Sequence, residues 1–269
     1  MYGIATLATP LTVARTMLGN CDYKILPLLG VNRHIKKGYR TLPRAFGGIG
    51  LFSFPIEQMI CWMNMLVQHF GVPSVLGRKF SASLEALQLE LGTNGNPLDL
   101  DFDRYGDLAT PCWFKSLWER MWAYNFRIHL TCEEIPFPRK GDKLLVEILL
   151  EEGHTGDGLR QLNRVRIYLQ MIFLSDIAAA DGRKLGPSYL RPTKWDADAS
   201  IYTFPRERPS AADWRAWRNF WESYVDTKGV LPHTLGYWMA PTHRKWQWHY
   251  DKQNDVIQRN TGVGVERFH

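Results

Sequence analysis

Seven basic side chains and one acid occupy positions 1–56: Arg15, Lys24, Arg33, Lys36, Lys37, Arg40 and Arg44 against Asp22, a local balance of +6. From position 57 to 269 basic and acidic side chains are equal in number, so the whole-chain net charge of +6 resides in that first segment. Arg33, His34, Lys36, Lys37, Arg40 and Arg44 follow one another without an intervening acid, beside Lys24 and Tyr39. Ammonium and guanidinium groups at that density suit the neutralisation of a polyanion, not bond-making chemistry. Two readings are open for the run: phosphate contact by Lys24, Arg33, Lys36, Lys37, Arg40 and Arg44, or a solvated charged face.

Other chemistry finds less support. Gly47, Gly48 and Gly50 form a glycine-rich turn, but no Lys-Ser/Thr pair follows as in a phosphate-binding P-loop. Their lack of side chains permits close backbone approach to a nucleic acid, or simply a tight turn with positive φ. Asp99, Asp101, Asp103 and Asp107 open like a calcium-binding loop, yet Arg104 stands where glycine is required and Thr110 where a bidentate glutamate is required. A solvated acidic loop is therefore expected, and no metal site or cofactor. There is no G-x-S-x-G and no H-E-x-x-H, and the eight histidines contain no i, i+4 pair. Cys21, Cys61, Cys112 and Cys132 lack any C-x-x-C spacing, which predicts buried, reduced thiols of an intracellular protein.

The composition demands a folded chain to position these groups. Of 269 residues 45% are apolar and 13% aromatic, enough for a chain of this length to bury about 70–75% of its unfolded surface. No run approaches about 18 uninterrupted apolar residues, so no membrane partner is expected.

Helical periodicity dominates the rest. Ile56, Met59, Ile60, Met63, Leu66, Val67 and Phe70 predict a helix over 56–70, stopped by Gly71 and Pro73. A second is expected over 83–91, ending at Gly92. A third is expected after Thr110 and Pro111, with Trp113, Leu117, Met121 and Tyr124 on one stripe beside Trp118 and Trp122. Alternation suggests a short strand over 126–132, and helices resume over 142–152 and 158–179. Arg166 falls on the apolar stripe of the last of these and needs a partner, for which Asp176 or Asp181 is expected. Ser210 and Asp213 open a further helix carrying Trp214, Trp217, Trp221 and Tyr224. Trp246, Trp248 and Tyr250 alternate with polar residues before a turn, predicting an antiparallel hairpin with an aromatic face. The expected organisation is a basic segment over 1–54, a Trp-rich helical body over 55–181, an irregular connection over 182–209, and a helix plus hairpin over 210–269. The fold class is mainly α: an irregular multi-helix body with a small C-terminal antiparallel β-hairpin.

Ile25, Leu26, Pro27, Leu28, Leu29, Gly30, Val31, Asn32 and Arg33 precede Tyr39, Arg40, Thr41, Leu42, Pro43, Arg44, Ala45, Phe46, Gly47, Gly48, Ile49, Gly50 and Leu51. This pattern resembles the region after the palm in reverse transcriptases of non-LTR, LINE-like retroelements, where a leucine-proline pair leads into a Gly-Gly-Leu-Gly-Leu signature. Gln68, His69 and Phe70, the run 87–92, and residues 174–182 also resemble retroelement-type reading frames. The chain departs from the family in having no aromatic-x-Asp-Asp motif and no terminal Cys/His zinc knuckle. Nucleotidyl transfer needs two metal-holding aspartates. The resemblance therefore implies a post-palm, non-catalytic region that contacts RNA or DNA through the Gly-rich segment and its basic neighbours. The competing expectation is a helical protein-interaction module whose hairpin residues Trp246, Trp248 and Tyr250 dock a protein partner.

Overall fold

The computed structural model of the chain describes residues 9–130, 134–169, 171–186, 190, 201–203, 208–239, 247–251, 256–260 and 265–268. In 201–203 and beyond residue 246 it describes the backbone alone. Among the described residues the protein is mainly helical, with nine α-helices. None of them is long and apolar enough to cross a membrane. The chain divides into two compact units, Met1–Leu84 with Leu98–His129, and Glu85–Pro97 with Leu130–His269. This partition cuts across the stretch 55–181.

The first unit contains α1 (Leu11–Leu28), α2 (Lys37–Thr41), α3 (Phe54–His69), the start of α4 (Val75–Leu91), α5 (Phe102–Tyr105) and α6 (Trp113–Ala123). Helix α3 begins with Pro55 and Glu57 in its first turn, where the missing N–H and the negative charge are both favourable. Gly71, at φ 76°, follows its end. Met59, Trp62 and Leu66 are buried, each contributing about 1.5–3 kcal/mol. The buried face is rotated from the expected stripe, since Ile60 and Val67 are exposed while Gln58 lies inside. The cause is Arg120 on α6. This fully buried guanidinium donates from Nη2 to Gln58 Oε1 at 2.7 Å and to the Thr9 carbonyl, and from Nη1 to the Ser116 carbonyl at 3.2 Å. It also lies 4.4 Å over the Trp62 ring. Burial lowers its pKa, opposed by the nearby Glu119 carboxylate. Around it, Trp113 packs 5.7 Å from Trp62 and 5.1 Å from Phe80, and Phe102 meets Trp118 edge-on at 4.8 Å.

Two helix starts differ from expectation for local reasons. Helix α4 begins at Val75, well before 83, because the Ser74 hydroxyl accepts the Gly77 amide at 3.0 Å and caps it. Helix α6 begins at Trp113, not at Pro111, with the Cys112 sulfur accepting the Lys115 amide at 3.4 Å. Residues 126–130 are irregular and not a strand; Asn125, at φ 55°, turns the chain and the Phe126 amide returns to the Met121 carbonyl. Asp101 caps α5 through the amides of Asp103 and Arg104, and Asp103 accepts the Trp122 indole N–H at 3.0 Å. The acidic loop thus organises its own backbone, and among the described residues no group of three His, Cys, Asp or Glu side chains gathers to hold a metal. Cys21 is exposed and Cys61 and Cys112 are half-buried, which corrects the expectation of buried thiols; Cys132 lies outside the described residues.

The second unit holds the end of α4, then α7 (Leu145–Glu151), α8 (Gly156–Tyr168) and α9 (Ala211–Tyr224). Arg166 is its centre. Nε donates to Asn163 Oδ1 at 2.7 Å, Nη1 to the Met171 carbonyl at 2.7 Å, and Nη2 to the carbonyls of Leu89 and Glu90. Those last two carbonyls belong to the C-terminal turn of α4, where helix acceptors lack intrahelical partners and a cation is favoured. The expected carboxylate is therefore replaced by main-chain acceptors, while Asp176 acts on the guanidinium only through space. Burial lowers the Arg166 pKa to about 9, with Glu90 and Asp176 raising it, so the charge persists at neutral pH. Gly92, at φ 66°, sits against this group: a Cβ there would lie 2.5 Å from Val146 Cγ2 and 2.9 Å from Arg166 Cζ.

Helix α8 ends at Tyr168, well short of the 179 that periodicity suggests. The Met171 amide turns back to the Arg166 carbonyl, and Asp176 accepts the amides of Ile172 and Phe173. This leaves 172–174 extended alongside Lys143 to Leu145. Helix α9 begins as expected, with Ser210 and Asp213 forming a reciprocal capping box. Asp213 also pairs with Arg164 on α8 at 2.6 Å. Trp214, Trp217 and Trp221 fill the core, with Trp217 and Trp221 5.4 Å apart. Much of the connection expected over 182–209, and Trp246 itself, lie outside the described residues, as do the side chains of Trp248 and Tyr250.

Candidate nucleic-acid interface

The basic segment begins where α1 stops. The Leu29 amide bonds back to Ile25, the Val31 amide to Leu26, and Gly30 takes φ 70°, a left-handed close to the helix. The chain then folds over the last turns of α1, and Arg40 fixes the fold. Its Nη1 pairs with Asp22 Oδ2 at 3.2 Å, Nη2 donates to the carbonyls of Arg33 and Ile35 at 3.0 Å each, and Nε to Ile35 at 3.2 Å. Planar guanidinium geometry suits such a multi-acceptor clasp. Arg40 and Asp22, the single acid of positions 1–56, are thereby spent on each other.

The remaining cations stand in solvent. Lys24, Arg33, Lys36, Lys37 and Arg44 are all exposed. Arg33 lies 4.3 Å over the Tyr23 ring and donates to its hydroxyl at 3.0 Å, which limits the freedom of its guanidinium. Arg44 Nε makes a 3.3 Å contact with the Ile49 carbonyl. Tyr23, Tyr39 and Phe46 are also exposed within the segment, so aromatic surface is interleaved with positive charge.

The glycines have an internal task. Gly47 and Gly50 adopt φ 78° and 72°. A Cβ on Gly48 would fall 1.9 Å from the Leu42 carbonyl oxygen, so only glycine fits there. The amide of Gly47 donates to Arg44, that of Gly48 to Pro43, Ile49 to Tyr39, Gly50 to Leu42 and Leu51 to Arg40. Every one of these N–H groups is occupied. Close approach at Gly48 is to the loop itself, and none of the five amides is left to cradle a phosphate. An anion at this glycine turn must therefore be met by side chains.

Of the sequence-expected site residues, then, Lys24, Arg33, Lys36, Lys37 and Arg44 are displayed, whereas Arg40, Gly47, Gly48 and Gly50 build the loop that displays them. Comparison with protein-family models, with curated proteins and with solved structures returns no match.

Proposed function

We propose that the first unit is a non-catalytic nucleic-acid-binding region of the kind that follows the palm in a retroelement reverse transcriptase, with Lys24, Arg33, Lys36, Lys37 and Arg44 contacting phosphates. One observation carries the reading: Arg40 neutralises the sole local acid and holds the loop closed, leaving five exposed cations from Lys24 to Arg44 with no acid among them in sequence. A face that was merely solvated would not need its acid sequestered, and mixed charge is the usual composition of such faces. The same reading takes the C-terminal end as a small antiparallel sheet. Supporting it, the backbone of Gln247–Asp251 pairs with Val256–Asn260, flanked by Ile201–Thr203 and Val265–Phe268.

The test is a titration of the chain with structured RNA and with duplex DNA at several salt concentrations. Five phosphate contacts give a slope of log K against log salt of about -4.5 on duplex DNA. Replacing Lys36 and Lys37 by Ala should make the slope shallower by about 2. Absence of binding at about 50 mM salt, or a wild-type slope shallower than about -2, removes the proposal. Asp22→Asn should free Arg40 and loosen the loop, lowering affinity despite the added net charge.

A further inference from the structure

Residues 138–140 and 235–239 of the second unit lie side by side as a short antiparallel pair. The Lys140 amide donates to the Tyr237 carbonyl at 3.1 Å, the Gly236 amide to Lys140 at 2.8 Å, and the Met239 amide to Pro138 at 2.7 Å. Arg139 locks this pair from within. It is 5% exposed, its Nε donates to the Gly236 carbonyl at 2.8 Å, and its Nη1 reaches toward the carbonyls of Ala179 and Ala180. Gly182, at φ 67°, makes room for it, since a Cβ there would sit 2.5 Å from Arg139 Nη2 and 2.7 Å from the Leu235 oxygen.

This framework presents aromatic surface outward. Tyr237, Trp238 and Met239 are 67%, 47% and 52% exposed, three consecutive large side chains that the core does not use. Arg139 Cζ lies 4.8 Å over the Trp238 ring, and Lys140 Nζ 5.9 Å over that of Tyr237. One indole face is thus occupied by a buried guanidinium, and the solvent-exposed surface is what remains of the ring. Rings held in place lose little conformational entropy when a planar group settles on them.

The charge around the patch selects the planar group. In the described segments that form and adjoin the pair, 138–143, 179–184 and 226–239, Arg139, Lys140, Lys143, Arg183, Lys184 and Lys228 outnumber Asp142, Asp181 and Asp226. Each of the three acids accepts backbone amides: Asp142 those of Lys143 and Ser175, Asp181 those of Arg183 and Lys184, and Asp226 those of Lys228 and Val230. Exposed aromatics backed by cations, in surroundings where cations outnumber carboxylates, match an unpaired nucleobase on an anionic backbone. We propose that Tyr237 and Trp238, braced by Arg139 and flanked by Lys140, form a stacking platform for unpaired bases, so that the second unit recognises single-stranded nucleic acid. This rests on the nucleic-acid reading above and adds the substrate class.

The test compares strands with equal phosphates and unequal bases. Full-length protein is titrated at fixed salt with single-stranded RNA and DNA of about 12 nucleotides and with an abasic strand of the same length, following anisotropy and tryptophan fluorescence. Base-bearing strands should bind roughly 5- to 150-fold more tightly than the abasic one, with quenching. Trp238→Ala should erase that difference, Trp238→Phe should restore most of it, and Tyr237→Ala should reduce it. The salt slope should be the same in all variants, because no phosphate contact is lost. Equal binding of abasic and base-bearing strands overturns the platform while leaving the phosphate reading intact, whereas no binding of any strand overturns both. Loss in Trp238→Phe equal to that in Trp238→Ala assigns the residue a structural role and overturns the proposal. Quenching by polyglutamate equal to that by the strands assigns the patch to an acidic protein and overturns it too.

Discussion

Among the described residues each unit buries one arginine completely, and the two are satisfied in different ways. Arg166, in the second unit, gives all three of its nitrogens to acceptors, three of the four being main-chain carbonyls, two of them at a helix end. Arg120, in the first, relies partly on the Gln58 amide and the Trp62 face, while its own Nε and the Trp62 indole N–H are buried without an acceptor. A cation held by buried carbonyls, which it shares with the Gly92 amide at Leu89 and the Asn163 side-chain amide at Glu90, is part of a closed network. One that adds to the carbonyls of Thr9 and Ser116 a rotatable amide and a ring, and leaves its own Nε without an acceptor, is more replaceable. The second unit is thus built around its arginine, whereas the first accommodates one.

Methionine at each site breaks or sharpens the contrast. Arg166→Met takes a donor from three buried carbonyls and from the Asn163 side chain and should cost about 3–5 kcal/mol in denaturant unfolding followed by tryptophan fluorescence. Arg120→Met replaces a guanidinium by a chain of similar length beside Trp62 and should cost less than about 2 kcal/mol. Equal losses would show that the difference in acceptors has no energetic weight. The glycines after α4 and α3 extend the comparison. Gly92→Ala imposes a left-handed backbone and pushes a methyl group into Val146 and Arg166, about 2–4 kcal/mol together. Gly71 has open space around it, so Gly71→Ala carries only the backbone cost of about 1–2 kcal/mol.

The smallest contrast is between caps. Ser210→Ala should destabilise α9 by about 1 kcal/mol, and Cys112→Ala, which loses a weak sulfur acceptor, by less than about 0.5 kcal/mol. The α9 cap also has a pH signature. Burial raises the Asp213 pKa, but the hydrogen bonds from Arg164 and Ser210 outweigh it and the net shift is downward. With a folded value below the unfolded one of about 3.9, this stabilisation is complete above the unfolded value and is lost as pH falls through the folded one. Asp213→Asn should therefore flatten the acid limb of the unfolding profile below about pH 4.

These same residues show what a one-dimensional reading can reach. The α9 capping box was legible because Ser210 and Asp213 are three apart and their bonds are local. Arg166 was legible as a core cation, but its partners were not, because a carbonyl at a helix terminus has no residue identity. Arg120 was hidden by its neighbours Trp118 and Trp122, whose bulk dominated the stripe. Ser74 was obscured by the Gly71 and Pro73 stop signal, although serine just beyond such a signal is a cap for the next helix. In the basic segment, composition identified the cations, but the one removed from display, Arg40, is distinguished only by an aspartate 18 residues earlier. Tyr237 and Trp238 escaped notice because what holds them is Arg139, 97 residues from Gly236.

The closed amides of residues 47–51 have a kinetic consequence. A partly solvent-exposed stretch outside any α-helix or strand ordinarily trades its backbone deuterium at once. Here each of five successive N–H groups must first lose an internal acceptor, and opening them together means undoing the turn held by Arg40. In an isotope-exchange time course this loop should lag behind other surface loops, and in Asp22→Asn the lag should shorten, giving the clasp a clock that needs no ligand.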